Sequence, residues 1–230
     1  GWQYQKNGIF IQKKIEKNLK KTLKVPIRLI GAGRTDKGVH AFGQYANFKI
    51  FKKIENKRKF LDSVNYFLKQ SDISIIKINR KNLSFHSRFD AKERIYEYYI
   101  INRVGSLSLH RNKAWHIKKK LNLNLLKKGG KILEGTHDFS TFRAASCSAK
   151  SPIKKISSIR VKKSKDVILI VFKSKSFLQN QVRSMVGCLT YLSSKKWNLK
   201  TFKRIFRSKH RGECAPPAPA CGLYLSDVKY

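Results

Sequence analysis

The 230-residue chain is 41% hydrophobic, which is enough for a packed core, so its composition excludes an intrinsically disordered protein. It holds 52 Lys and Arg against 13 Asp and Glu, and a net charge of +39 is typical of a protein that binds a polyanion. Because 38 of the basic residues are lysine, codon bias in an AT-rich genome is a second explanation of the charge. No apolar run reaches about 18 residues, so we expect no membrane span.

The apolar pattern of the first half predicts, in chain order, a helix, two strands, a helix and a strand. Ile11, Ile15, Leu19 and Leu23 recur every four residues with lysines between them, which predicts a surface helix that Pro26 ends. The elements that follow are strands over 27–30 and 44–50, a helix over 60–68 and a strand over 73–78.

The second half repeats this rhythm. Its predicted elements are a strand over 94–102, a helix over 121–133 that Gly129-Gly130 weaken at its end, a hairpin of 153–162 and 166–174, a buried helix over 179–193, a surface helix over 199–207 and a last strand over 223–228. Strands alternating with single helices predict an α+β fold built from two split βαβ units, the first without its opening strand.

The acidic residues are unevenly placed along the second half. None lies between Asp138 and Asp166, a span with eight Lys or Arg, and none lies between Asp166 and Glu213, a span with eleven. Both spans contain apolar runs, so we expect folded segments with basic faces rather than basic tails.

The segment 31–40, which reads GAGRTDKGVH, carries a single carboxylate. Asp36 is the only acidic residue between Glu16 and Glu55, and beside Arg34 and Lys37 it is either part of a local ion pair or a nucleophile held ionised. The segment is neither a dinucleotide fingerprint nor a Walker loop. An Asx-type turn that closes a hairpin is the structural alternative.

The cysteines show neither a CxxC pair nor a metal-ligand spacing. We therefore expect reduced, mostly buried thiols in a cytoplasmic protein, and no metal site. The four cysteines are Cys147, Cys188, Cys214 and Cys221.

Several other polar and aromatic residues have both a functional and a structural interpretation. Tyr96 shares a strand face with Tyr98, so ordinary core packing is one alternative. Arg183 lies on an apolar helix and would need a carboxylate partner. His137-Asp138 fit acid–base chemistry, but no third partner lies nearby in the sequence, so we interpret them as a loop that contacts RNA. RNA contact or packing both fit the loop residues Phe139, Phe142, Arg143 and Lys150.

The segment 31–40 and the following Ala41 resemble the signature of the tRNA pseudouridine synthase A family, whose members isomerise uridines of the tRNA anticodon arm. Four further segments resemble the later blocks of that family, in family order and over nearly the whole chain. These segments are 85–98, 135–142, 177–187 and 215–225.

The resemblance implies that Asp36 is the catalytic aspartate, that Tyr96 stacks on the target uracil and that Arg183 is the basic partner of the aspartate. The motif arginine Arg34 would help to open the tRNA arm. The aspartate would attack C1′, attack C6 or take a sugar proton to give a glycal, and the sequence leaves these routes open. The residues expected to bind substrate are Tyr96, Arg34, Thr35, His40, Arg143 and Leu225.

The resemblance also implies two ferredoxin-like halves that form a continuous, mostly antiparallel sheet with a central catalytic cleft. The first half would be 1–88 and the second 89–230. It further implies a homodimer, no metal or organic cofactor, and targets at about positions 38 to 40 of tRNA. The family normally begins with a strand that this chain lacks ahead of Gly1, which we expect to leave a sheet edge open. Near the C-terminus Glu213, Cys214 and Cys221 also depart from the family pattern, with little expected effect.

Two other classes of protein fit part of these observations. A non-catalytic RNA-binding protein of related fold accounts for the basic faces but not for Asp36, Tyr96 and Arg183 together. A ribosome-associated structural protein accounts for the charge alone. We therefore predict a cofactor-free RNA isomerase.

Overall fold

The computed structural model describes residues 1–2, 10–51 and 53–230, which form two compact units. The first unit comprises Gly1–Lys37 and Gln44–Ala91, and the second comprises Gly38–Gly43 and Lys92–Tyr230. The boundary falls inside the glycine-rich segment, so Asp36 belongs to the first unit.

The α-helices of the described residues are α1 (Ile11–Leu23), α2 (Lys57–Leu68), α3 (Leu123–Leu133), α4 (Gln181–Ser193) and α5 (Leu199–Ser208). The strands are β1 (Ile30–Gly31), β2 (His40–Ala41), β3 (Ala46–Asn47), β4 (Glu93–Ile101), β5 (Trp115–His116), β6 (Gly135–Asp138), β7 (Ile153–Ser164), β8 (Val167–Ser174) and β9 (Leu223–Lys229). None of these helices is long and apolar enough to cross a membrane.

The first unit packs α1 and α2 against each other, and β1 pairs antiparallel with β3. Its core is formed by one apolar stripe of each helix, as the four-residue period predicts for α1, together with Trp2 and Leu29. Lys24 ends α1 in the left-handed region at φ 61°, two residues before Pro26. The core residues are Trp2, Ile15, Leu19, Leu29, Phe60, Val64 and Leu68.

The strands predicted for the first unit are longer than those in the structure, and one of them is absent. Residues 27–30 contribute only Ile30 to β1, and residues 44–50 contribute only β3. Residues 73–78 form no strand, because the side chain of Asn65, and not a neighbouring strand, forms hydrogen bonds with the backbone of Ile75. Asn65 of α2 donates to the Ile75 carbonyl oxygen at 2.8 Å and accepts from the Ile75 amide at 2.8 Å.

The second unit is built on a seven-stranded sheet in the order β2-β9-β4-β8-β7-β6, with β5 pairing to β4. The β2–β9 and β4–β5 pairs are parallel and the other pairs are antiparallel. The chain order β4-α3-β7-β8-α4-β9 with the spatial order β9-β4-β8-β7 is the ferredoxin-like arrangement. The predicted α+β class with a mostly antiparallel sheet is confirmed.

The helices of the second unit cover one face of this sheet. Alternate residues are buried along β4 and β8, and α3 packs on α4 and β7. A Cβ atom at Gly129 would lie 2.7 Å from Leu189 Cδ2, and one at Gly130 would lie 3.0 Å from Ile159 Cγ2. The two glycines therefore allow close packing within a helix that continues to Leu133, instead of weakening its end.

Candidate active site

Asp36 lies on a loop that follows β1, and hydrogen bonds to the backbone hold this loop. The Ala32 amide donates to the Tyr45 carbonyl oxygen at 2.7 Å, and Gln44 Nε2 donates to the Gly33 carbonyl oxygen at 2.8 Å. Asp36 itself is half-buried. The loop therefore presents its carboxylate from a fixed backbone, and sequence reasoning missed the part played by Gln44.

Trp2 supports the same loop from its other side. Its amide donates to the Thr35 carbonyl oxygen at 3.1 Å, one residue before Asp36. A Cβ atom at Gly31 would lie 2.5 Å from the Trp2 indole, so only glycine permits this close approach. Thr35, one of the predicted substrate-binding residues, is half-buried, whereas its neighbour Arg34 is exposed.

The second sequence block is bonded to the base of the Asp36 loop. Ser87 Oγ donates to the Ile30 carbonyl oxygen at 2.5 Å, and the Ser87 amide donates to Asn47 Oδ1 at 2.9 Å. Asn47 Nδ2 in turn donates to the Phe85 carbonyl oxygen at 3.3 Å. Ser87 is 0% exposed, so these bonds link β1 and β3 to this block away from water.

His40 lies on β2, at one edge of the second unit's sheet. Its ring stacks on Tyr224 with centroids 4.6 Å apart, and Nε2 is 3.0 Å from the Asn112 carbonyl oxygen. Phe42 stacks on the same tyrosine at 4.7 Å and is 60% exposed. The sequence analysis missed Phe42 and Tyr224, because only the parallel pairing of β2 with β9 brings them together.

Tyr96 lies in the middle of β4, opposite Phe172 on one side and Leu225 on the other. It is 8% exposed, and its ring meets Phe177 edge-on at 5.2 Å. The register between β4 and β9 shifts between Ile95 and Tyr96. Such bulges re-aim the side chains beside them and are common next to active sites. Leu225 is itself 0% exposed.

Arg183 lies on α4 and is held by the proline-rich loop that precedes β9. Its Nε donates to the Ala218 carbonyl oxygen at 2.8 Å, and its own carbonyl oxygen accepts from the Ala218 amide at 2.9 Å. Nη1 donates to Asn180 Oδ1 at 3.2 Å. The loop thus fixes both the main chain and the guanidinium of Arg183, a function that the sequence analysis did not assign to it.

Tyr98 also anchors this loop, because its hydroxyl donates to the Pro219 carbonyl oxygen at 2.7 Å. Burial and the nearby Cys221 raise the pKa of Tyr98 above its usual range, and the positive charge of Arg183 opposes this rise. Tyr98 therefore remains a neutral hydrogen-bond donor at physiological pH.

The segment that begins at His137, which the sequence analysis interpreted as a loop in contact with RNA, differs in structure from that prediction. His137 and Asp138 lie on β6 rather than in a loop, because residues 135–138 pair with β7. Phe139 and Phe142 are buried, so packing is the correct alternative for these two aromatic residues. Arg143 closes its own loop through Nη2, which donates to the carbonyl oxygens of Cys147 and Ala149 at 2.7 Å each.

The cysteines are free thiols, of which only Cys188 is buried. The other three, Cys147, Cys214 and Cys221, are half-buried, so the expectation of mostly buried thiols is too strong. In the part of the chain that the structure describes, no group of three or more His, Cys, Asp or Glu could hold a metal ion.

Comparison with known proteins assigns the chain to a class of RNA-modifying enzymes. Residues 2–90 and 131–230 match the family model described as tRNA pseudouridine synthase. The chain belongs to this family, which confirms the resemblance found in the five sequence blocks.

The related proteins narrow the class further. Over its full length the chain is 54% identical to the tRNA pseudouridine synthase A of Pelagibacter ubique, strain HTCC1062, and covers 94% of that protein. It is 39% identical to the protein of the same name from Maricaulis maris, strain MCS10, and 40% identical to that from Thermoanaerobacter pseudethanolicus, strain ATCC 33223 / 39E, and covers 92% and 93% of them.

Proposed function

We propose that this chain converts uridine to pseudouridine in tRNA, with Asp36 as its catalytic carboxylate. The observation that carries the proposal is the fixed glycine-rich loop: three hydrogen bonds to main-chain carbonyl oxygens hold the loop that bears Asp36 in a chain of this family. A fixed loop suits catalysis because a reacting group held in position contributes far more than one that must be ordered during the reaction.

The reaction breaks the N1–C1′ bond of uridine and forms a C5–C1′ bond. The C5 hydrogen leaves as a proton and N1 gains one, so the reaction involves no net oxidation or reduction. An ionised aspartate can attack C1′, attack C6 or remove a sugar proton, and each route needs a charged group in a site with little water. We propose that the chain needs neither a metal nor an organic cofactor for this chemistry.

The roles of Tyr96 and Arg183 follow from the resemblance. Tyr96 provides an aromatic face for the detached uracil, and its edge-on contact with Phe177 supports the ring from the side. By the same resemblance, Arg183 is proposed as the basic partner of Asp36. The further residues proposed to bind substrate are Arg34, Thr35, His40, Arg143 and Leu225. We also propose that the chain consists of two halves, residues 1–88 and residues 89–230.

We further propose that the substrate is a folded tRNA recognised by shape and phosphate contacts, with targets at about positions 38 to 40. The protein would act in the cytoplasm as a homodimer. The base must leave its stack before it reacts, which costs a few kcal/mol. Contacts between the basic surface and the phosphates can offset that cost. A non-catalytic RNA-binding protein is not favoured, because it requires no fixed loop around Asp36.

Tritium release tests the proposal, because forming the C5–C1′ bond expels the hydrogen at C5. We expect the chain to release tritium from tRNA labelled at uridine C5, and not from a matched tRNA with cytidine at positions 38 to 40. Undiminished release from the second tRNA would contradict the proposed positions. Binding of both tRNAs without any release would contradict the enzyme itself and leave the RNA-binding alternative.

A further inference from the structure

Helix α5 exposes a row of four cations that the proposed catalytic residues do not include. These residues are spaced i, i+3, i+4 and i+7, so they share one face of the helix. The opposite face is buried through Phe202, Ile205 and Phe206. We call the four exposed cations the basic stripe, which consists of Lys200, Lys203, Arg204 and Arg207.

The basic stripe is poorly neutralised by the protein itself. Arg204 Nη1 pairs with Glu213 Oε2 at 2.5 Å. Within the described residues, no ion pair joins Lys200, Lys203 or Arg207 to a carboxylate. Like charges three and four residues apart repel on a helix, so the free protein keeps an unfavourable arrangement that a bound polyanion would relieve.

The stripe borders a shallow groove that is open to solvent. Two open surface cavities form this groove: one of about 480 Å³ lies among the side chains of α5, and a second of about 470 Å³ is lined by α5, β6, Ile132 and Lys209. Lys203 and Arg207 line both cavities. The carboxylate of Asp138 in the second cavity is engaged, because it accepts from the Ser140 amide at 2.8 Å and lies 3.7 Å from Lys209 Nζ. The groove therefore offers mainly positive charge.

The chemistry of the groove favours phosphate groups over a protein partner. Its basic side chains are hydrogen-bond donors only, and the guanidinium of Arg207 suits the oxygens of a phosphate. No large apolar side chain of α5 is exposed, whereas protein interfaces are depleted in lysine and use aromatic anchors. The stripe also falls in the acid-free span between Asp166 and Glu213, so no carboxylate of that span repels a polyanion.

We propose that the basic stripe and its groove bind the phosphate backbone of the RNA substrate without reading its sequence. The inference rests on the proposed function for the identity of the RNA. The site would contribute to affinity and leave the chemical step unchanged, because none of its residues is among those proposed to react.

The test replaces Lys200, Lys203 and Arg207 together with glutamine and measures tRNA binding over a series of salt concentrations. Each lost phosphate contact lowers the slope of log K against log salt by about 0.7–0.9. We expect the slope to fall by about 2, with a raised KM and an unchanged kcat in the tritium assay. The matched control replaces three exposed cations of β7, Arg160, Lys162 and Lys163, with glutamine, and should keep the wild-type slope.

Equal slopes for the stripe variant and the wild type would overturn the inference. An equal fall in the stripe variant and the β7 control would also overturn it, because general charge would then explain the effect. The charge-preserving substitution Lys203→Arg should retain binding, and a loss there would point to packing instead. If the wild type releases no tritium but the stripe variant lowers the slope, the proposed function fails and this inference stands.

Discussion

The carboxylate of Asp36 sits on a loop that is tied to its surroundings through backbone atoms. Gln44 and Trp2 bond to carbonyl oxygens of this loop, and Ser87 bonds to the strand before it. The sequence could reveal Asp36, because a lone acid in a cationic, glycine-framed segment is conspicuous. It could not reveal the supporting residues, because their partners are main-chain oxygens, which carry no residue identity.

At the scale of single residues, Ser87→Ala should destabilise the protein. The substitution removes the hydroxyl of Ser87, which is 0% exposed and donates to the Ile30 carbonyl oxygen, and the loss of such a partner costs about 1–3 kcal/mol. We expect the free energy of unfolding in urea to fall by that amount. The exposed Ser84 provides the control, and Ser84→Ala should leave stability unchanged. Equal stabilities for the two variants would show that the bond between Ser87 and Ile30 contributes little.

At the scale of elements, long periodic segments were predicted well and short ones poorly. The helix α1, the strand β4 and the hairpin of β7 and β8 match their predictions within a few residues, because a burial pattern repeated over eight or more residues is visible locally. The two-residue strands β2 and β5 were missed. Each is defined by a distant partner strand, and neither has room for a local pattern.

The contact between α4 and the proline-rich loop leads to a prediction at the same scale. A Cβ atom at Gly187 would lie 2.1 Å from the Pro216 carbonyl oxygen, so alanine there must push the loop away from the helix. Because overpacking costs about 1–3 kcal/mol, Gly187→Ala should lower the free energy of unfolding by that amount, and it should lower kcat by displacing Arg183.

Gly105→Ala is the matched control for this substitution. The nearest atom to a Cβ at Gly105 is Arg103 Nε at 4.0 Å, so alanine has space there. We expect the stability and kcat of this variant to equal those of the wild type, as measured by urea unfolding and tritium release. If Gly187→Ala behaves in the same way, the loop does not depend on close contact with α4.

At the scale of the whole molecule, composition predicted the class of partner and the block order predicted the family. The ferredoxin-like order of β9-β4-β8-β7 also follows the predicted rhythm of helices and strands. The edge strands β2 and β6 did not follow from that rhythm, since their pairing depends on where distant segments meet. The uneven distribution of acidic residues was likewise visible in the sequence. The position of the α5 cations beside a groove could be seen only in the structure.

The most direct test of the central claim compares Asp36→Asn with Asp72→Asn in the tritium-release assay under single-turnover conditions. Both substitutions exchange a carboxylate for an amide, and Asp72 is an exposed residue of the same unit. We expect Asp72→Asn to react like the wild type and Asp36→Asn to lose about 1,000-fold or more in rate, the scale on which reacting groups act, while still binding tRNA. Release by Asp36→Asn at a rate close to that of Asp72→Asn would contradict the catalytic role of Asp36.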